Sequence, residues 1–583
     1  MKVIKRHRKY LIPATILFVI LLCPFSIRLW NTYQTNQTFE TYTDDLFYTD
    51  ISGNLLTLHY TLAQPEDYGI TSYETSLGTF EPSSLTQSFI LENRIWNLEQ
   101  FPSDSLNEAN QLTKDILLLT YKTELHPGNQ TLFYEALSPS LGFQAQLPVL
   151  LAEYTFCDEQ DIQDYIKLLS SIDVYFESLI NFEQYKSQNG TFMSDITADR
   201  IVAQCSDFLK NPEENYLDSV FQEKIDNFAA LSSNKRQAYK KLHTQILSEH
   251  VFPAYQLLIE GLTQLIGTGK SPNGLCGFSG GKAYYDYLLK SNCGIYETVP
   301  EIQEQLTLKI QQILTVCREI LVRNPDILTN SRQTTSIDSD SLEVMLEDLK
   351  SKISQDFPVS SLPSYEVKYV HKDLEEHLSP AFYLTPPIDT LSPNTIYINA
   401  HANMKGIELF TTLAHEGFPG HLYQTITFAS SNPPLIRQLL SMKGYIEGWA
   451  TYAETFSYSY LDTDKDLATL TNLNHILNLC IFSYLDTKIH YDGWNQSDAS
   501  NYLDSFGITK PETQQEIFQV IVEEPTNYLV YCMGYLHFSD LQTKMQTELG
   551  KHFDFQDFHE AILEIGPCQF PILEEYLKKR LLS

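Results

Sequence analysis

Two histidines and a glutamate lie close together at the end of an apolar run, in Leu413-Ala-His-Glu-Gly-Phe-Pro-Gly-His-Leu422. His415 and His421 are of the type that holds a divalent cation as neutral imidazoles. Glu416 is a carboxylate able to take a proton from water beside such an ion. The common helical arrangement puts two ligand histidines four residues apart on one face. Here they are six apart, with Pro419 and Gly420 between them. Six residues of regular helix turn two side chains about 120° away from each other, so the pair requires a break. Pro419 lacks a backbone donor and Gly420 admits dihedrals that other residues avoid, so a kink there is expected to swing His421 back over His415.

A third ligand is available downstream. In Gly444-Tyr-Ile-Glu-Gly-Trp-Ala-Thr-Tyr-Ala-Glu454 the two glutamates are seven apart, which puts both carboxylates on one face of a helix. Glu447 is read as the carboxylate ligand of a site made of two histidines and one glutamate, with the fourth position left to water or substrate. Glu454 is read as a carboxylate behind the site that orients a ligand imidazole. Either stretch alone also reads as a solvated helix face. Together and in this order they favour a metal centre holding one zinc ion per chain, although nitrogen and carboxylate donors suit other divalent metals too.

The combination of His-Glu-Gly-Phe-Pro-Gly-His421 with Tyr-Ile-Glu-Gly-Trp-Ala-Thr-Tyr-Ala-Glu454 resembles the bacterial uncharacterised-domain family numbered eight hundred eighty-five. That family in turn resembles gluzincin-type zinc metallopeptidases, distantly including carboxypeptidase Taq and angiotensin-converting enzyme. Weaker matches are Gly281-Lys-Ala-Tyr-Tyr285, Ser379-Pro-Ala-Phe-Tyr383 with Asn399, His490-Tyr-Asp-Gly-Trp494, and Tyr531-Cys-Met-Gly-Tyr535 after Pro525. The likeness covers most of the chain beyond the N-terminal segment. It implies a large, mainly α metallopeptidase-like fold. It also implies a substrate-side loop at Lys282, Tyr284 and Tyr285, and a hydrogen-bond donor for the developing oxyanion at Tyr531, with His490 the second candidate. Surface lysine and packing tyrosines are the plainer reading of these positions.

The elements that must position these residues are mostly helical. Ile162, Tyr165, Leu169, Ile172, Phe176 and Leu179 recur at steps of three and four, one apolar helical face. A long helical pattern over 233–266 contains Pro253, expected to kink or restart it. Helices are also read over 300–324, 341–355, 467–484 and 528–549, the last closed by Gly550. On the helix over 467–484 and its continuation, Asp486 and His490 stand four apart and are expected to polarise each other. Between 365 and 399 the pattern turns to alternation, at Tyr365, Val367 and Tyr369 and again at Thr395-Ile-Tyr-Ile-Asn399. A small β-sheet is expected there, beside the cleft, with an edge strand able to hold an extended peptide and with Tyr383 and Asn399 near the substrate.

Composition narrows the alternatives. The 583 residues carry a formal net charge of −33, which disfavours nucleic acid as a partner. Residues 1–30 begin with five basic side chains and continue into an apolar run. They read as a signal anchor, a transmembrane helix with the bulk of the chain exported. Cleavage and secretion is the weaker option, since no convincing small-residue cut site is present, and lipidation at Cys23 is disfavoured by Leu22. Residues 31–250 are read as an N-terminal helical lobe and 251–583 as the catalytic lobe. The eight cysteines beyond the anchor permit disulfides, with Cys276–Cys293 a plausible local staple.

The expectation is therefore a membrane-anchored, extracytoplasmic zinc metallopeptidase acting on oligopeptides, as an oligopeptidase or carboxypeptidase. The alternatives are an amidase acting on cell-wall peptide at the same site, and a non-catalytic exported helical protein with a structural metal.

Overall fold

The computed structural model describes residues 30–80, 85–125, 129–327, 341–358, 364–372, 375 and 378–582. Among the described residues no helix is long and apolar enough to cross a membrane. Apart from Trp30, the first residue of a helix over 30–51, the expected anchor lies outside them.

The apolar stripe from Ile162 to Leu179 is buried throughout, but it spans two helices rather than one. Ser170 and Ser171 turn their hydroxyls onto Ile166 O and Leu168 O and end the first, Glu159–Leu169. Short hydroxyls that bond nearby carbonyls compete with helix continuation. The second helix (α1, Ile172–Asn189) packs with α2 (Asp195–Phe208) and α3 (Phe252–Leu265) around a core that includes Phe176, Leu179, Leu258 and Leu262. Helix Ser233–Ile246 runs into α3 through one π turn, Leu247–Val251. That turn absorbs the missing donor of Pro253, as inserted π turns do. The N-terminal core thus continues through Leu262, past the boundary expected at residue 250.

The second and larger core gathers the helices that follow. It contains α4 (Gly406–Glu416), α5 (His421–Ser430), α6 (Lys443–Ser457), α7 (Lys465–Thr487) and α8 (Asn527–Leu549). As the sequence predicts, α8 ends at Gly550, whose φ of 54° is left-handed. A three-stranded sheet borders α4, in the order β1 (Glu366–Tyr369), β3 (Thr395–Ile398), β2 (Ala381–Leu384). β1 runs parallel to β3, and β2 antiparallel to it with Tyr383 opposite Ile396. The strand β2, absent from the sequence reading, is the one facing the site. All eight described cysteines are free thiols, so Cys276 and Cys293 do not form the expected staple.

Candidate metal centre

The backbone between the two histidines breaks as their spacing requires. α4 ends at Glu416, with Gly417 N donating to Leu413 O at 2.9 Å. The chain reverses through Gly417, Phe418, cis-Pro419 and Gly420, and α5 begins at His421 itself. Gly420 N closes the turn on Ala414 O at 2.9 Å. The glycine is needed here for room. A Cβ at Gly420 would lie 1.7 Å from His415 O and 2.5 Å from Ala414 O. His415 therefore sits in the last turn of one helix and His421 in the first turn of the next. Their rings come to 4.9 Å between centroids and stand almost perpendicular, at 82°.

α6 is tied to this turn. Trp449, fully buried, donates its indole N–H to Pro419 O at 2.9 Å. On the other side α6 and α8 touch backbone to backbone, since a Cβ on Gly448 would lie 2.5 Å from Gly534 Cα and one on Gly534 2.3 Å from Gly444 O. These contacts bring Glu447 against the histidines from one helix and Tyr531 from the other. Glu447 Oε2 lies 3.3 Å from His421 Nε2 and 3.7 Å from His415 Nε2. One donor atom from each of His415, His421 and Glu447 falls within 4.8 Å of the others. Tetrahedral zinc with bonds of roughly 2.0–2.1 Å places its ligand atoms about 3.3 Å apart, so this donor set fits that ion in both chemistry and size.

The surroundings complete the pattern expected of such a centre. Glu454 Oε2 is 3.1 Å from His415 Nδ1, which turns Nε2 of the same ring toward Glu447. A carboxylate on the far nitrogen fixes the tautomer and raises the donor strength of a ligand imidazole. Burial opposes an imidazolium at His415, but the hydrogen bonds it donates to Glu447 and Glu454 outweigh it and hold its pKa well above 6.5. For Glu447 burial is again the opposing influence, and the two imidazoles overcome it, keeping the carboxyl far below its usual range. His475 on α7, which no motif marks, places Nε2 3.6 Å from Glu454 Oε1. Glu416, 8% exposed, accepts from Tyr383 N at 2.9 Å on the outer edge of β2. Tyr531 stacks over His415 at 6.4 Å, and burial together with Glu447 and Glu416 drives its hydroxyl pKa far up.

The remaining sequence candidates divide. Tyr383 stays at the site, its hydroxyl donating to Asn394 Oδ1 and its side chain lining a cleft that also reaches His421 and Glu447. Asn399 is spent on structure: its amide donates to Glu375 O and Leu378 O, and its oxygen caps His401 N. Lys282 is exposed and lies over the Tyr491 ring, while Tyr284 packs on Phe133. Tyr285 gives its hydroxyl to Asp486, which also accepts from Thr526 N. Asp486 and His490 consequently do not pair. His490 accepts from Leu275 N on Nδ1 and gives Nε2–H to Ile521 O at 2.7 Å, so neither nitrogen is available to an oxyanion. Tyr285, Asp486 and His490 knit the loop before helix Gly281–Ser291 to α7 and to the start of α8.

His490 has a consequence for acid stability. Burial lowers its pKa from 6.5 to about 4, only partly offset by the bond to Ile521. Between these values the unfolded chain binds a proton that the folded chain refuses. The stabilisation is complete above pH 6.5 and is lost as pH falls toward 4, a change of about 3 kcal/mol. Denaturant unfolding at pH 7 and pH 4.5 is expected to show a shallower acid loss in His490→Gln than in the wild type. Equal losses in both would show that His490 does not contribute.

Comparison with known proteins gives a family and a fold. The model of a bacterial protein family of unknown function, DUF885, matches residues 69–577. No protein of curated function matches the sequence. A crystal structure of a protein described as a lipoprotein from Colwellia psychrerythraea superposes with a TM-score of 0.82, at 19% identity over 94% of this chain and 99% of that one. Another, described as a lipoprotein of unknown function from Shewanella oneidensis, gives a TM-score of 0.63 at 14% identity, covering 93% of this chain and all of that one. An oligoendopeptidase F by description, from Bacillus anthracis, reaches a TM-score of only 0.27 at 11% identity, over 86% of this chain and 96% of that one, which does not establish a shared fold.

Proposed function

We propose that this chain, which belongs to the DUF885 family of bacterial proteins, is a zinc-dependent peptidase that hydrolyses oligopeptides. The observation that carries this reading is the convergence of His415, His421 and Glu447 with the Glu416 carboxylate alongside. A zinc ion held by those three donors supplies Lewis acidity toward water and toward a peptide carbonyl. The chain's own groups have separable tasks. Glu416 takes the proton of the attacking water and returns it to the leaving amine; its Oε2 is fixed by Tyr383 N, and Oε1 bonds no described group. Tyr531, protonated across the physiological range, offers its hydroxyl to the oxyanion. The outer edge of β2 presents backbone groups to an extended peptide. A purely structural zinc would close its fourth position with protein, whereas the cleft here reaches His421 and Glu447.

Full-length protein should cleave unmodified oligopeptides, lose that activity to dipicolinate and regain it with zinc. Hydrolysis indifferent to the chelator, or none by zinc-loaded protein, would overturn the reading. Tyr531→Phe is expected to lower kcat about 10²-fold with little change in KM, because the hydroxyl acts on the transition state rather than on the bound peptide. The basic and apolar start of the chain, together with relatives described as lipoproteins, supports placing the enzyme at the outer side of a membrane.

A further inference from the structure

The cleft reaching His421 and Glu447 has a volume of about 340 Å³, within the range of small-ligand sites. Most of its wall is apolar, including Ile388, Leu391, Phe428 and Leu440. Two polar side chains of that wall lack the partners that burial demands. Arg437, 2% exposed, gives Nη2 to Ile565 O at 2.6 Å and to Pro567 O at 3.4 Å. Its Nε is buried with no acceptor, the guanidinium lies over the Phe428 ring at 5.6 Å, and among the described residues no carboxylate pairs with it. Gln424, 4% exposed and one turn beyond His421 on α5, has its amide nitrogen buried without an acceptor.

A buried cation without a counter-charge is costly, and proteins rarely leave one so. Among the buried cations of the described residues, Lys186 is ion-paired with Glu135 and Glu183, while Lys114, 6% exposed, gives its ammonium to Phe101 O and Ser103 Oγ. Burial brings the Arg437 pKa down only to about 10, so it remains charged at neutral pH. Guanidinium donors and an amide N–H lining one cleft suit a carboxylate, which an arginine can take in bidentate fashion.

We infer that Arg437 and Gln424 bind the C-terminal carboxylate of the peptide substrate, so that the enzyme trims oligopeptides from a C-terminal end bearing an apolar side chain. The apolar wall takes that side chain, and the scissile bond lies toward His421 and Glu447. Hydrolysis adds one water across that bond and releases the C-terminal fragment. This inference rests on the peptidase reading, but its test does not depend on turnover.

Calorimetric titration of the full-length protein with 3-phenylpropionate and with 3-phenylpropionamide compares the carboxylate with its neutral isostere. Wild type is expected to bind the acid at least 30-fold more tightly, and Arg437→Gln to reduce that ratio below about 3-fold. With matched peptides ending in phenylalanine, the wild-type kcat/KM should favour the free acid over the amide at least 100-fold. Arg437→Gln should collapse the preference, and Gln424→Leu should reduce it about 10-fold, a second variant in case the first does not fold. Equal binding of acid and amide by the wild type, or an unchanged ratio in folded Arg437→Gln, would overturn the inference. If no peptide is cleaved at all, the peptidase reading fails and the binding titration alone decides the carboxylate site.

Discussion

Glu416→Gln is expected to hydrolyse peptides about 10³-fold more slowly than the wild type while keeping its metal. The amide preserves the shape of the side chain and can still accept from Tyr383 N, so the outer edge of β2 stays in place. What it loses is basicity, and general-base removal costs roughly 10²–10⁴-fold. The three donor atoms come from His415, His421 and Glu447, and none is altered. Metal content measured beside turnover separates this outcome from simple collapse of the site. A Glu416→Gln protein that turns over like the wild type would remove the residue from the chemistry, and one that lost its metal would make it a structural residue.

Gly420→Ala is expected to abolish metal binding and to cost more than about 4 kcal/mol if the turn is held in place, a size reserved for severe backbone or core disruption. The added Cβ would meet the carbonyl of His415, one of the proposed ligands, and the carbonyl of Ala414, which closes the turn. Neither obstacle is a flexible side-chain end, so the loop between α4 and α5 must open. Opening it moves His421 away from Glu447 and withdraws Pro419 O from the Trp449 indole. Soluble protein with less than a tenth of the wild-type zinc is the expected result. Full occupancy would show that the turn tolerates the methyl group and that its close approach does not place His421.

The part of the site legible in the sequence is the part written in local spacing. The spacing of six from His415 to His421, with proline and glycine between them, specifies a break, and Glu447 and Glu454 seven apart specify one helix face. The chain folds in both ways. The helical architecture was legible for the same reason, and so was most of the sheet, from the alternation around Val367 and Ile396. What was not legible depends on contacts between distant segments. His490 and Asp486 have the spacing of an interacting pair, yet each is claimed by a partner far away in the chain, Ile521 and Leu275 for one, Tyr285 and Thr526 for the other. Asn399 resembles a substrate-facing amide until the loop it caps is seen. The reverse holds for Arg437, Gln424 and His475, which carry no motif and acquire meaning only from where the fold puts them.

His415, His421 and Glu447 are proposed to hold one catalytic ion. The most direct measurement is zinc per chain by elemental analysis of full-length wild type and Glu447→Ala, with peptide hydrolysis recorded on the same preparations. About one zinc and measurable hydrolysis are expected in the wild type, and the loss of both in a Glu447→Ala protein that remains folded. Stoichiometric zinc retained by Glu447→Ala, or hydrolysis by a wild type that carries no stoichiometric metal, would contradict that proposal.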